Sequence, residues 1–391
     1  MRAHELGHGP AACAVVAALG ERDATASGTD ARQAVERLLS RRDAVGDRVR
    51  REAARLARVA GIAGATPRAL DATGLVLALA YPDRVGRARP GSPGRFALTS
   101  GAGAAFDERD PLATQQWIAI ADLDHRAGRA DAQIRLAAPL DERDIDDALG
   151  ALATQHDVVG WDDRSGDVVS RREIRVGAVV RTARPIDAGD AALDALLDGV
   201  RRHGLTLLAR WRDADDLRAR VALCRRVLGD DWPDLADGAL LDTLESWLRP
   251  ALAGARRRRD LDRLDVDAVL RDHLGWSLAS RLDRLAPTHV TTPAGTRREI
   301  DYRGAEPALA VRLQELFGSA TSPTVLDGRV PVVLHLLSPA GRPVQVTADL
   351  AGFWRGSYAQ VRAELRGRYP KHHWPEDPAS AEPSRGVRRR G

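Results

Sequence analysis

The run HLLSPAGRPVQVTADLAGFWRGSYAQVRAELRGRYPKHHWPEDP, residues 335–378, carries more local instruction than any other part of the chain. It opens inside RVPVVLHLLSP (329–339) and passes through RPVQVTADL (342–350), two apolar-rich runs that read as strands. Ser357 with Gln360 has the spacing of a capping box and predicts a helix from about Tyr358. Val361 and Leu365 would face inward from that helix, with Arg362 and Arg366 pointing away. Pro370, Pro375 and Pro378 then force RYPKHHWPEDP into an extended path, because a proline pushes the residue before it out of the helical region. Two uses of this segment stay open. Arg366, Arg368, Lys371 and His372 beside Tyr369 and Trp374 could neutralise and stack on a nucleic-acid strand. Alternatively Phe353, Trp354, Tyr369 and Trp374 are a structural motif that pins the tail onto the strand layer.

Working outward, THVTTPAG is expected as strand and VRLQELFG (311–318) as helix, which makes residues 286–378 a mixed α/β domain. Residues 188–285 read as helical, with Trp211, Trp232, Trp247 and Trp276 at helix ends or apolar faces, where core packing is expected of each. Between Gly74 and residue 187 the period shortens. LVLALAY, RFALTS, WIAIADL, AQIRLAA and REIRVGAVV predict five strands of a small antiparallel β-barrel, OB-like or SH3-like, over 67–187. The loop YPDRVGRARPGSPGR (81–95) carries Arg84, Arg87, Arg89 and Arg95 as candidate phosphate contacts. Residues 1–66 predict a helical bundle, with Ala34, Val35, Leu38 and Leu39 along one side of a helix and a loop at 24–30. Residues 379–391 are polar and read as a disordered tail. The expected fold class is therefore α+β, multidomain.

Composition excludes several functions. At 391 residues, with 44% hydrophobic and 29% charged residues, the chain suits two to four globular domains. No apolar run approaches the roughly 20 residues that span a bilayer, and the N-terminus lacks signal-peptide order, so the cytoplasm is expected. Cys13 and Cys224 read as buried free thiols. Lys371 is the only lysine and lacks a glycine frame, so the sequence has no P-loop of the form G-x-x-x-x-G-K-[ST] and no kinase signature. The net charge is +4, so nucleic-acid binding would rest on local clusters such as Arg256 to Arg259, or Arg385 and Arg388 to Arg390.

One motif points elsewhere. His4-Glu5-Leu6-Gly7-His8 spells H-E-x-x-H, which on a helix sets two zinc-binding histidines on one face beside a glutamate base. Gly9 and Pro10 follow at once, and Pro10 would clash with the Leu6 carbonyl in a continuous helix. Ala11 and Ala14 stand where a metzincin needs glycine and a third histidine, and neither Glu21 nor Glu36 is marked as a ligand. A zinc metalloprotease is thus a distant alternative, and no metal site is expected.

Residues 335–378 resemble the C-terminal signature of the HrpB-type bacterial DEAH-box helicases. LAPTHVTTPAG and VRLQELFG resemble the family's neighbouring segments. LALAYPDRVGR, FDERDPLATQQWIAIADLD and IRLAAPLDE are similar to its OB-like region, and ELGHGPAACAVVAALGERD to the helix entering its helical bundle. The resemblance implies the accessory C-terminal half of an ATP-dependent RNA helicase, guiding single-stranded nucleic acid. The implied contacts are Arg84, Arg87 and Arg95 from the barrel and Arg366, Arg368 and Lys371 from the C-terminal segment; no catalytic residue is assigned. ATP and Mg²⁺ would be held by the RecA-like core of full-length members, whose motifs are not in this sequence. Met1 falls inside what resembles the first bundle helix, which leads to the expectation of a late gene start or a split helicase. The competing expectation is a standalone, non-catalytic nucleic-acid or protein-binding scaffold.

Overall fold

The computed structural model describes residues 1–21, 24, 28–63, 70–107, 109–125, 128 and 130–385. The 66/67 boundary, residues 25–27 of the expected loop, and Arg388 to Arg390 lie outside the described residues. The chain divides into two compact units, 1–158 with 170–186, and 159–169 with 187–391, so part of the expected 67–187 segment falls with the second unit.

The first unit opens with helices α1 (Arg2–Glu5), α2 (Gly9–Leu19), α3 (Ala31–Ser40) and α4 (Ala44–Val59). Asp30 and Asp43 start α3 and α4 by accepting backbone N–H bonds with their carboxylates. In α3, Ala31, Ala34, Val35 and Leu38 are buried, the i, i+3, i+4, i+7 stripe of a helix on a core. The H-E-x-x-H stretch is not one helix. The chain turns at Gly7 (φ 84°) before His8, so His4 lies in α1 and His8 caps α2, with Pro10 in the first turn of α2, where it is tolerated.

LVLALAY is not a strand but most of helix α5 (Thr73–Ala80). Leu75, Val76, Leu77 and Ala78 are all buried, and a run buried on every side has no period to separate helix from strand. The barrel instead begins within the segment expected as a loop. Its strands are β1 (Val85–Ala88), β2 (Arg95–Leu98), β3 (Gly103–Ala105), β4 (Trp117–Asp124) and β5 (Asp131–Pro139). They close in the order β1-β2-β3-β5-β4, with β3 and β5 parallel and the other pairs antiparallel. Alternate residues Phe96 and Leu98, Ile118 and Ile120, Ile134 and Leu136 are buried. Gly86 belongs to this packing, since a Cβ there would lie 3.1 Å from both Leu98 and Phe96.

After α6 (Glu142–Leu149) come β6 (Ala153–Asp162), β7 (Asp167–Val176) and β8 (Val179–Pro185), a separate three-stranded sheet. REIRVGAVV belongs here and not to the barrel: at Gly177 (φ 56°) the chain reverses, and β8 pairs back on β7.

The second unit carries α7 (Asp190–His203), α8 (Asp215–Leu228), α9 (Asp237–Asp242), α10 (Leu244–Ala251), α11 (Arg258–Asp262) and α12 (Val266–Leu285). A five-stranded sheet follows, in the order β15-β14-β11-β10-β9: β9 (His289–Thr291), β10 (Arg297–Asp301), β11 (Ala308–Arg312), β14 (Val333–Leu337) and β15 (Pro343–Thr347). The two-residue strands β12 (Thr324–Val325) and β13 (Val330–Pro331) pair between β11 and β14 in sequence, and α13 (Leu350–Arg355) and α14 (Tyr358–Arg368) follow β15. One core runs from Trp161 to Trp374 through the helices and this sheet.

Several expectations need correction in this unit. VRLQELFG is the end of β11 followed by a 3₁₀ turn (Leu313–Leu316), because its buried apolar residues serve a strand and a tight turn. Ser357 makes no side-chain cap, since its own backbone is already helical (φ −73°, ψ −11°). Trp276 is 86% exposed: Gly275 (φ 74°) breaks α12 immediately before it. Finally, described residues of the expected tail are hydrogen-bonded to the fold. Ser384 N–H donates to the Gln314 carbonyl at 3.0 Å, and the Arg385 guanidinium to the Ala294 and Gly295 carbonyls at 2.6 and 2.8 Å. Among the described residues no helix is long and apolar enough to cross a membrane. Both cysteines are free and buried, and burial pushes the Cys224 thiol up to about 11.

Candidate nucleic-acid interface

The barrel arginines are largely spent inside the fold. Arg84 donates to the Ala121 carbonyl at 3.3 Å and lies 4.8 Å from the Tyr81 ring. Arg87, on β1, stacks on Trp117 at 5.5 Å and donates to the Val180 carbonyl. Arg89 and Arg95 share the carboxylate of Asp131, at 3.2 and 3.0 Å. That cluster fits only because β3 begins with glycine: a Cβ on Gly103 would sit 1.8 Å from Asp131 Oδ1 and 2.5 Å from Arg89 Nη2. Two of the three predicted barrel contacts thus lie on strands, and all three are engaged. Of them Arg95 keeps the most reach to solvent, with its side chain 58% exposed.

At the C-terminal segment the aromatics and the cations separate. Phe353, Trp354 and Trp374 are buried, and Tyr369 is half-buried. The indole N–H of Trp354 donates to the Ser319 carbonyl at 2.8 Å, and that of Trp374 to the Tyr369 carbonyl at 3.0 Å. Tyr358, whose hydroxyl burial pushes up to about 12, donates to the Pro375 carbonyl at 2.9 Å. Its ring meets Trp354 edge-on at 5.1 Å. Arg362 does not point away; it donates to the Trp374 carbonyl at 3.0 Å and pairs with Glu376. His372 Nδ1 accepts from the Gln314 amide N–H at 2.8 Å, and burial, then the charge of Arg312, holds its imidazole below its ordinary value.

The cations lie outside this packing. Arg368 pairs with Glu364 one turn back at 3.3 Å. Arg366 and Lys371 are exposed and form no hydrogen bond or ion pair among the described residues. The run at 256–259 is mostly tied down: Arg256 to Asp187, Arg257 to Asp167 and Arg258 to Asp262. Among the described residues no three His, Cys, Asp or Glu side chains gather as a metal site.

Two exposed features escaped sequence reasoning. The exposure of Trp276 depends on one backbone break, which Gly275 alone hinted at. The second lies on β7 and β8, where Arg172 faces Arg184 in register. No sequence signal exists for that pairing, since register between strands is a tertiary fact.

Residues 247–378 match the family model HrpB_C, described as ATP-dependent helicase C-terminal. The chain is 41% identical over 318 residues to the ATP-dependent RNA helicase HrpB of Escherichia coli (strain K12), which covers 80% of this chain and 39% of that relative. A crystal structure of the E. coli DExH-box NTPase HrpB is similar with a TM-score of 0.51 and 37% identity, covering 96% of this chain and 46% of that one. The chain therefore spans less than half the length of the relatives it matches.

Proposed function

This chain corresponds to the C-terminal region of the HrpB-type helicases, and on that premise we propose that it is the accessory, nucleic-acid-handling part of an ATP-dependent RNA helicase. The observation that carries the reading is the extent of the likeness, which continues through the barrel and the helices well beyond the C-terminal family match. The strand order of the closed barrel supports reading it as OB-like, a fold that binds single strands on its surface. Of the predicted contacts, Arg366 and Lys371 have no side-chain hydrogen bond or ion pair among the described residues, Arg95 and Arg368 keep exposed side chains beside one carboxylate each, and Arg84 and Arg87 are held back by their internal partners.

In this reading ATP and Mg²⁺ are bound by a helicase core in cis or in trans, and the protein works in the cytoplasm on single-stranded RNA. The test is fluorescence anisotropy of a labelled single-stranded RNA against the purified chain over a series of salt concentrations. Salt-dependent binding whose slope falls by about 0.7 for each of Arg366→Ala and Lys371→Ala is expected. A chain that binds no RNA at low salt would overturn the reading. A second reading, a protein-binding scaffold, is favoured by the exposed Trp276, since tryptophan is enriched where partners dock; retention of a partner protein without RNA affinity would select it.

A further inference from the structure

The sheet β6–β8 presents a face that the fold itself does not use. Arg172 on β7 stands directly opposite Arg184 on β8, and one step further along Ile174 stands opposite Thr182. Like charges opposed on neighbouring strands destabilise the pair. One carboxylate offsets part of this: Asp157 on β6 accepts from Arg172 Nε and Nη2 at 2.7 and 2.8 Å. Arg184 is exposed and forms no hydrogen bond or ion pair among the described residues. The opposite face repeats the imbalance, with Arg171 and Arg175 converging on the single carboxylate of Glu173 at 2.5 and 2.6 Å.

Within the first unit, residues 153–158 and 170–186 hold five arginines (Arg171, Arg172, Arg175, Arg181, Arg184) against two carboxylates (Asp157, Glu173). The excess of three is local to these residues, since β6 ends at Asp162 and β7 begins at Asp167. Arg181 is drawn off to Asp146, so the unmatched charge falls on the exposed rows.

The geometry points to the Arg172/Arg184 face of this sheet as a phosphate-contacting track for single-stranded nucleic acid, with Ile174 and Thr182 beside the sugars. This rests on the nucleic-acid reading above and assigns it a surface outside both the barrel and the C-terminal segment. A phosphate held between the two guanidinium groups supplies the missing anion, and arginine's planar fork matches its oxygens. A protein partner is disfavoured because the face offers no aromatic anchor, the feature that dominates protein interfaces; contacts to a phosphate backbone need none.

The experiment measures binding of the full chain to a labelled single-stranded RNA as a function of salt, with Arg184→Ala and Asp157→Asn as variants. Arg184→Ala removes an exposed side chain with no hydrogen bond or ion pair among the described residues and is expected to lower the salt slope by about 0.7. Asp157→Asn frees Arg172 and is expected to tighten binding and steepen the slope. Wild-type slopes in both variants, with RNA still bound, overturn this assignment and leave the accessory-helicase reading standing. Loss of all RNA binding by the wild-type chain overturns both. An Arg184 dependence that appears with polyglutamate and not with RNA overturns it in favour of an acidic protein partner.

Discussion

The barrel of the first unit and the open sheet of the second each have five strands, yet they are held by different means. The barrel closes its hydrogen-bonded edges on each other and fills its interior chiefly with branched aliphatics, Phe96 and Phe106 excepted. The open sheet is backed by a few large rings, Phe317, Phe353, Trp354 and Tyr358, whose centroids lie 5.1 to 6.4 Å apart. The barrel's packing is spread over many small contacts, whereas the open sheet adds a cluster of large rings to its own buried aliphatics.

The strongest way to break that contrast is Trp354→Ala. The ring contacts Phe317, Phe353 and Tyr358 and its N–H ties the 319 turn, so truncation is expected to cost about 3–5 kcal/mol, read as a lower urea midpoint. A loss below about 1 kcal/mol would mean that the aromatic cluster is not what holds the sheet.

Next is Glu315→Gln. Burial raises the Glu315 carboxyl, but hydrogen bonds from Arg298 and Thr296 outweigh it and hold the group below its ordinary 4.5. A depressed folded value stabilises above the unfolded value and is lost as pH falls through the folded one. Glu315→Gln should therefore cost about 2 kcal/mol at pH 7, less than a fully buried pair because Arg298 can rehydrate. It should also flatten the loss of stability below about pH 4.5. An unchanged acid limb in chemical denaturation would remove this ion pair from the account.

The barrel supplies the smaller counterpart. Ile120→Val removes one methylene from a fully buried site and is expected to cost about 1 kcal/mol by the same denaturation measurement. A cost near that of Trp354→Ala would erase the distinction between distributed and concentrated packing.

The same contrast governs what could be read from the chain. The C-terminal segment was legible because its prolines and large aromatics each have few places to go, and β14, β15 and α14 lie where the sequence placed them. The barrel was legible as β2, β4 and β5, whose alternation survives over enough residues to register. Its β1 and β3 span four and three residues, too short for a period, and α5 is apolar all round. The candidate cations were legible as arginine but not as free arginine. Asp131, Trp117 and the Val180 carbonyl, which occupy Arg95, Arg87 and their neighbours, arrive from other strands. Whether a cation is available is settled by its partners, and partners are set by register.

Trp276→Ala is expected to have the smallest effect on stability, within about 0.5 kcal/mol, and it separates two tryptophans that look alike in sequence. Trp247, on α10, is 3% exposed and donates its indole N–H to the Leu240 carbonyl at 2.9 Å, so it is fixed by packing and by a hydrogen bond. Trp276 follows the Gly275 break and is 86% exposed, so its removal deletes little that the fold has buried. Thermal unfolding of the two alanine variants should differ widely, with Trp247→Ala melting far lower and Trp276→Ala close to the parent. An equal drop would mean that α12 closes over Trp276 in solution, and that the glycine break marks a turn in the core and not an exposed aromatic.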